Sequence, residues 1–353
     1  MIGELVTQVA SIGLAGSTPV EGIHVAGADA AEFVAELDRQ RIVGLGLWAT
    51  ERGELHIEEE SLQRLRDRHD MAMAQTMRIE LTAKRVSDAL TERGIRHRLL
   101  KGAALAHSIY GDASLRSFRD VDVLIPSDGI DDAVGVLAGM GASRSSPELR
   151  PGFDRRFAKS VTMRLDDVEV DVHRLLAPGP FGVWMRPNDL FVMKDHLDIA
   201  GTSIPTLDVT DHLIHACYHV ALGQPEPVLA NLVDVALLAQ RDVDWERVGQ
   251  TVSRWRGAAA LKRCVELVEA RLDTELPEQL ADYRRATLTA DERLAVGPYL
   301  SDDPEGRFAA LAPATLRALP MSERPAFARA VGFPDGSDPK ERVLSMVERF
   351  RST

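Results

Sequence analysis

The sequence predicts an α+β fold, on three observations. Residues 1–90 carry apolar positions at helical spacing, and so do the segments beyond residue 210. Between them, residues 95–177 change to short β-rich runs separated by turn residues. Helices and strands that are segregated along the chain, rather than alternating, mark the α+β class. The β-rich part holds the stretch from Leu99 to Leu124, LLKGAALAHSIYGDASLRSFRDVDVL, around which the chain is organised.

Taken in order, Ala30 to Leu47 alternates apolar and charged positions at helical spacing. From Glu58 to Leu90, residues Leu62, Leu65, Met71, Met73, Met77, Ile79, Leu81, Val86 and Leu90 sit among many charges. That suits one or two amphipathic helices in which not all of these positions share a face. Gly94 closes the segment as a C′ residue. Arg96 to Leu100 reads as a first strand, Gly102 to Tyr110 as a short helix and Val121 to Ile125 as a second strand. After Pro126, Ser127 or Asp128 caps a helix from Ile130 to Met140, and Gly141 ends it. Arg156 to Leu165 and Val168 to Leu176, either side of Asp166-Asp167, read as an antiparallel hairpin with a tight turn.

Ala177-Pro178-Gly179-Pro180 reads as a domain boundary or hinge. Short extended pieces follow at Asn188 to Met193 and Ile204 to Val209. Helices come next, at Thr210 to Leu222, Val228 to Gln240, Trp245 to Arg256 and Ala258 to Leu272. Residues 274–353 look helical but are interrupted by Pro277, Pro298, Pro304, Pro313, Pro320, Pro325 and Pro334. The expected division is therefore 1–94, 95–177, 178–273 and 274–353, with the second part as the β-rich core.

The formal net charge of −12 argues against non-specific binding of nucleic acid over the whole surface, while leaving a local site, such as one for a tRNA end, open. The two cysteines, Cys217 and Cys264, lie far apart without CxxC spacing, which suggests neither a disulfide framework nor a structural zinc site. The N-terminus lacks a basic n-region and carries Glu4 early, so it is a poor signal peptide. No apolar run approaches the roughly 20 residues that span a bilayer. A cytoplasmic protein without membrane partners is expected.

The chemistry starts from the Asp120-Val121-Asp122 strand. Successive strand side chains point to opposite faces, so Asp120 and Asp122 share one face and lie about 7 Å apart along it. At an effective dielectric of about 20, like charges at that distance repel by on the order of 2 kcal/mol. A cation between them offsets this, and Mg²⁺ is the usual hard cation for carboxylates that also hold phosphates. In the second hairpin strand Val168, Val170 and Val172 point one way, while Glu169, Asp171 and His173 point the other. Asp171 is thereby a third acid for the polar face, and His173 its neighbour.

Lys101-Gly102-Ala103 sits at a strand-to-helix turn, where glycine permits close backbone approach and the helix start suits phosphate. Arg116 and Arg119 precede the Asp-x-Asp strand; they either neutralise phosphate or pair with Asp120 or Asp112. His212, His215 and His219 share a helix face at i, i+3 and i+7. Without an HExxH motif or a supporting Cys ligand, structural or acceptor-pocket roles are favoured over a metal site. Asp234 lies in an apolar helical run and needs a partner, expected to be one of these histidines or a basic residue at the cleft.

The order KG, short helix, Tyr110, Arg116, DVDVLI and VEVDVHRLL resembles the nucleotidyltransferase superfamily of the DNA polymerase beta type. In particular it is similar to the bacterial uncharacterised nucleotidyltransferase family, with its pattern hhKGxxL, Tyr, LRxxxDhDhLV, hDhHW. LDVTDHLIHACYHVAL and LANLVDVALLAQRDVDWERV are similar to that family's helical half, so the resemblance covers about residues 60–270. Two positions depart from the pattern. The superfamily's Gly-Ser phosphate loop is Gly102-Ala103 here, without a hydroxyl, and Arg174 stands where an aromatic residue commonly follows the histidine.

The resemblance implies a small mixed-sheet nucleotidyltransferase core flanked by helical regions, with Asp120, Asp122 and Asp171 binding Mg²⁺ or Mn²⁺. It implies NMP transfer from an NTP with release of pyrophosphate. Lys101, Gly102, Ala103, Arg116 and Arg119 would grip the nucleotide. His173, His215, His219 and Asp234 would either meet the acceptor, a small molecule or a protein side chain, or support the site from behind, His173 by orienting Asp171; residues 178–273 would form the acceptor side. Two other readings differ in what they require: a catalytically silent nucleotide- or partner-binding protein could lose any of the acids, and a histidine-based metal hydrolase would need His215 rather than Asp120.

Overall fold

The computed structural model describes residues 2–19, 22–193, 195–301 and 303–335. Nine strands are present among them: β1 (Ile23–Val25), β2 (Leu55–Ile57), β3 (Arg98–Leu99), β4 (Asp120–Leu124), β5 (Ser143–Arg144), β6 (Ser160–Leu165), β7 (Val168–His173), β8 (Asp195–Ile199) and β9 (Thr202–Thr206). β1 and β2 form a small parallel pair within the helical N-terminal region, where no strand was expected. The other seven make one mixed sheet in the order β5-β6-β7-β4-β3-β9-β8. Its centre, β7-β4, is parallel; β3 runs antiparallel to β4 and parallel to β9. The fold is α+β, as the segregated pattern predicts.

The two faces of this sheet differ in kind because β4 and β7 alternate strictly. Val121, Val123, Val170 and Val172 are buried on one face with Ile79, Val86 and Leu90 of the helix Glu59–Glu92 and Ile130, Ala133 and Leu137 of the helix Ile130–Gly139. Asp120, Asp122, Asp171 and His173 occupy the opposite face. The long helix is continuous over 34 residues, about 50 Å at 1.5 Å per residue. Leu65, Ile79, Val86 and Leu90 line its buried stripe, whereas Met71, Met77 and Leu81 are exposed. Its end is a Schellman arrangement: Gly94 takes φ 67°, Ile95 N–H donates to Leu90 O at 2.9 Å and Gly94 N–H to Thr91 O at 2.9 Å. Farther along, Arg78 and Arg85 reach Asp167 and Asp166 in the two-residue β6–β7 turn.

Several elements differ from the sequence expectation. The run from Ala30 to Leu47 is two helices, Ala28–Arg39 and Val43–Glu51, because Arg41 turns the chain at φ 58°. The piece from Asn188 to Met193 is a 3-10 helix, Pro187–Phe191, since Pro187 presets the first helical φ and Asp189 N–H closes the turn on Arg186 O at 2.9 Å. β8 was not expected; with only two apolar residues in DHLDI its alternation is faint. It folds back on β9 through Ala200-Gly201, both at positive φ as a tight hairpin turn requires. β8 and β9 lie beyond residue 177 yet complete the sheet, so its strands come from both sides of the Ala177–Pro180 break.

In the C-terminal region the prolines open helices more than they interrupt them. Pro277 precedes Glu278–Ala281, and Pro298 and Pro325 stand in the first turns of their helices. Pro313 lies inside Pro304–Ala318, contrary to its reading as a break; burial of the flanking Leu311 and Ala314 keeps that helix seated. The part of this region from residue 336 to 353 lies outside the described residues. No helix among the described residues is long and apolar enough to cross a membrane.

The helix Val43–Glu51 approaches the Ser114–Leu115 backbone so closely that a Cβ on Gly44 would stand 2.4 Å from Ser114 O and 2.7 Å from Leu115 Cα. Gly44→Ala is therefore expected to destabilise the protein by about 1–3 kcal/mol in chemical denaturation. Gly135→Ala, with no atom within 4 Å of the added methyl group, is expected to stabilise it by about 0.5–1 kcal/mol through helix propensity.

Candidate active site

The site is built on β4 and β7, whose parallel register sets Asp120 beside Glu169, Asp122 beside Asp171 and Leu124 beside His173. Asp122, Asp171 and His173 are buried, while Asp120 is half-buried at the mouth. Asp122 Oδ1 accepts from Lys101 Nζ at 2.9 Å and from His173 Nε2 at 2.7 Å. Its second oxygen, Oδ2, is buried and has no hydrogen-bond partner. Asp171 Oδ1 accepts from the hydroxyl of Thr162, its register partner on β6, and Asp171 Oδ2 lies 4.0 Å from His173 Nε2. Asp122, Asp171 and His173 each offer a ligand atom, all within 4.8 Å of one another.

Electrostatics follow from burial. Desolvation raises the Asp171 carboxyl above the usual carboxylate range, opposed by His173 and assisted by Asp122. Burial pushes the His173 imidazole down to about 3, helped by the ammonium groups of Lys159 and Lys101. The ring is neutral, and its short contact with Asp122 places the proton on Nε2, while Nδ1 faces Leu175 O at 3.4 Å. Burial works against a charged Lys101, yet the carboxylates of Asp122, Asp120 and Asp171 outweigh it and hold the ammonium protonated. Lys159, just before β6, has the reverse balance: burial and Lys101 bring it down to about 8. Sequence reading missed Lys159, which has no motif around it.

Lys101 and Gly102 take φ 22° and 31° where β3 passes into the helix Lys101–Ser108. A Cβ on Gly102 would come within 3.3 Å of Phe118, so the turn is packed as well as bent. This bend aims Lys101 at Asp122, and Ala103 is buried behind it.

Arg116 pairs with neither Asp120 nor Asp112. Its Nε donates to Asp234 Oδ1 at 3.0 Å, and Nη2 donates to Asp234 Oδ2 at 2.9 Å and to Asn231 Oδ1 at 3.2 Å. Tyr110 donates its hydroxyl to Asp234 Oδ1 at 2.7 Å. Asp234 thus has the basic partner that its burial demands: Arg116 gives it Nε and Nη2, and turns Nη1 to Ser117 O. Asp112 instead caps the turn Ala113–Leu115 by accepting from Ser114 N–H at 2.8 Å. Arg119, in the segment just before β4, is exposed and lies outside the cavity lining.

A cavity of about 180 Å³ opens over these residues. Asp120, Asp171, Lys101 and Gly102 form one side, and His219, Gln224 and Asn231 of the helical half form another. The histidine face divides along the helix Val209–Leu222. His212 Nε2 bonds the Thr206 hydroxyl at 2.9 Å, and burial brings it down to about 4. His215 is buried and is pushed well below its ordinary value by desolvation, then by His219, Lys101 and His173. His219 reaches the cavity, its Nε2 accepting from Asn231 Nδ2 at 3.2 Å. Among the described residues none of the three joins a metal-ligating group. Arg41, also unforeseen, lines the cavity from the turn between the helices Ala28–Arg39 and Val43–Glu51; its signal was hidden inside what reads as one helix.

A parallel-strand acid pair, a buried histidine beside it and a lysine turn facing both are thus gathered on one face of a mixed sheet. The family model of the uncharacterised nucleotidyltransferases matches residues 26–273, a span that contains every residue of the site. The chain belongs to this family and is a nucleotidyltransferase. Comparison with the curated proteins finds no match.

Removing Asp234 leaves the buried Arg116 guanidinium unpaired, so Asp234→Ala is expected to cost about 3–5 kcal/mol in denaturant titration. Replacing both partners with apolar residues should recover part of that loss. His212 predicts a pH dependence. The unfolded imidazole binds a proton below about 6.5, whereas the folded one stays neutral down to about 4. In that window the unfolded state holds more protons, so stability falls as pH falls, by up to about 1.4 kcal/mol per pH unit. His212→Gln should flatten the slope of unfolding free energy against pH by that share.

Proposed function

We propose that this enzyme moves a nucleoside monophosphate from an NTP, such as ATP, to a hydroxyl, phosphate or amine of a small-molecule or protein acceptor, with release of pyrophosphate. The observation that carries the reading is the Asp122 carboxylate: one oxygen is neutralised by Lys101, the other is buried and unpartnered, and the carboxylate, Asp171 and His173 each offer a ligand atom within 4.8 Å of one another. An orphaned carboxylate oxygen beside a second acid is a donor set suited to a hard divalent cation, Mg²⁺ or Mn²⁺.

In this reading Asp122 and Asp171 hold the cation, with Asp120 completing the acid face at the cavity mouth. His173 orients Asp122 through its Nε2–H, as outer partners of ligating groups do. When bound, the ion supplies charge neutralisation of the phosphates and a lower pKa for the acceptor hydroxyl. Asp171, whose carboxyl burial raises, takes the acceptor's proton. The acceptor oxygen or nitrogen bonds to the α-phosphorus, and the bond to the bridging oxygen breaks with its electron pair leaving on pyrophosphate. Lys101 and the Gly102 turn approach the phosphates. Arg116, committed to Asp234, acts by fixing the helix Leu229–Ala239, from which Asn231 faces the cavity. That helical half supplies the acceptor side, and an acidic chain favours a small acceptor over a long nucleic acid.

The test is incubation with each labelled NTP, Mg²⁺ or Mn²⁺ and a metabolite extract or lysate, followed by mass analysis for an added nucleotide. Asp122→Asn and Asp171→Asn are expected to lower transfer by about 10²–10³-fold while leaving the circular dichroism spectrum unchanged. Binding of Mg²⁺–NTP without any adduct would point to a silent nucleotide-binding protein instead.

A further inference from the structure

Three cations line the cavity, and two are already neutralised: Lys101 by Asp122 and Arg116 by Asp234. The third, Arg41, has no ion-pair partner among the described residues. It is half-buried, and the charges acting on it include three of the site, Arg116, Asp120 and Asp122, together with Arg119 beside it. Its backbone stands at φ 58°, a left-handed conformation that side-chain-bearing residues disfavour and glycine adopts freely.

That conformation is held from both sides. Ile42 is buried, and its N–H donates to Leu37 O at 3.0 Å. Gln40 accepts Leu229 N–H on its side-chain oxygen at 2.9 Å and Ala230 N–H on its carbonyl at 3.2 Å. The turn is thus bolted to the start of the helix Leu229–Ala239, which carries Asn231 on the same cavity and Asp234 against Arg116. An arginine at a glycine-favouring position, fixed over an acid site without a carboxylate of its own, is placed for an anion.

We infer that Arg41 grips the pyrophosphate end of the NTP, so that the N-terminal helical region completes the substrate site. This rests on the nucleotidyl-transfer reading. The planar guanidinium offers paired donors that match phosphate oxygens. As the α-phosphorus–oxygen bond breaks, negative charge grows on the departing pyrophosphate, and a cation fixed there in advance stabilises that change.

Arg41→Gly separates binding from backbone, because it removes the cation and relieves the left-handed strain together. The expected result, by calorimetry on the full chain with Mg²⁺ and inorganic pyrophosphate, is a Kd raised about 10- to 100-fold, with a melting temperature equal to or above wild type. Arg41→Lys should lose less, and Arg41→Gln, which keeps a side chain, should match the glycine variant in binding. Unchanged pyrophosphate affinity in both Arg41→Gly and Arg41→Gln overturns the inference, as does a wild-type chain that binds no pyrophosphate. So does a variant that transfers more slowly with unaltered pyrophosphate and NTP affinity, since Arg41 would then serve the acceptor. A wild-type chain that binds pyrophosphate through Arg41 but yields no nucleotide adduct would instead fail the transfer reading and leave this assignment standing.

Discussion

The Asp122 carboxylate is the constraint on which the rest of the structure depends. A charged group that deep needs partners, and the fold supplies Lys101 at 2.9 Å and His173 at 2.7 Å to one oxygen only. Lys101 reaches it because the chain bends at two positive-φ residues, and His173 because β7 lies parallel and in register with β4. Under these groups the same two strands turn valines into the core between two helices. The polarity of the site is therefore inseparable from the packing of the sheet: shifting either strand by one residue would exchange acids for valines.

A second buried charge pair carries the site's geometry outward. Arg116 and Asp234 join the segment leading into β4 to the helix Leu229–Ala239, with Tyr110 closing the network. Gln40 meets the same helix at its start. Three parts of the chain remote in sequence, the N-terminal turn, the strand region and the C-terminal helices, are in this way registered against one another at the cavity. A buried pair of this kind adds little net stability over an apolar substitute, but losing one member costs much, which makes it a device for specifying an arrangement.

Much of this was legible from residue patterns. A period of two places Asp120 with Asp122 and Asp171 with His173, and the turn residues Asp166-Asp167 mark the β6–β7 hairpin. Lys101 was legible because Lys-Gly at a strand end is followed at once by the Asp-x-Asp strand. An acid such as Asp234 in an apolar run announces a partner, though not which one. Arg119 illustrates the limit: a basic residue close to the acids in sequence lies outside the cavity, while Arg41 and Lys159, with no motif around them, sit at the site. β3, two residues long, and β8, with faint alternation, are strands because the sheet pairs them, not because their own residues insist on it.

By itself the amino-acid order determined the local grammar: which residues alternate, where helices begin and stop, and that Asp120 shares a strand face with Asp122 and Asp171 with His173. Those properties depend on neighbours within a few positions, where steric limits and hydrophobic period act directly. Only the tertiary structure decided that Asp122 faces Asp171, that Arg116 answers Asp234, and that a left-handed turn brings Arg41 over the acids. Each of these joins residues far apart along the chain, and burial of charge, which selects such partners, exists only once the chain has folded around them.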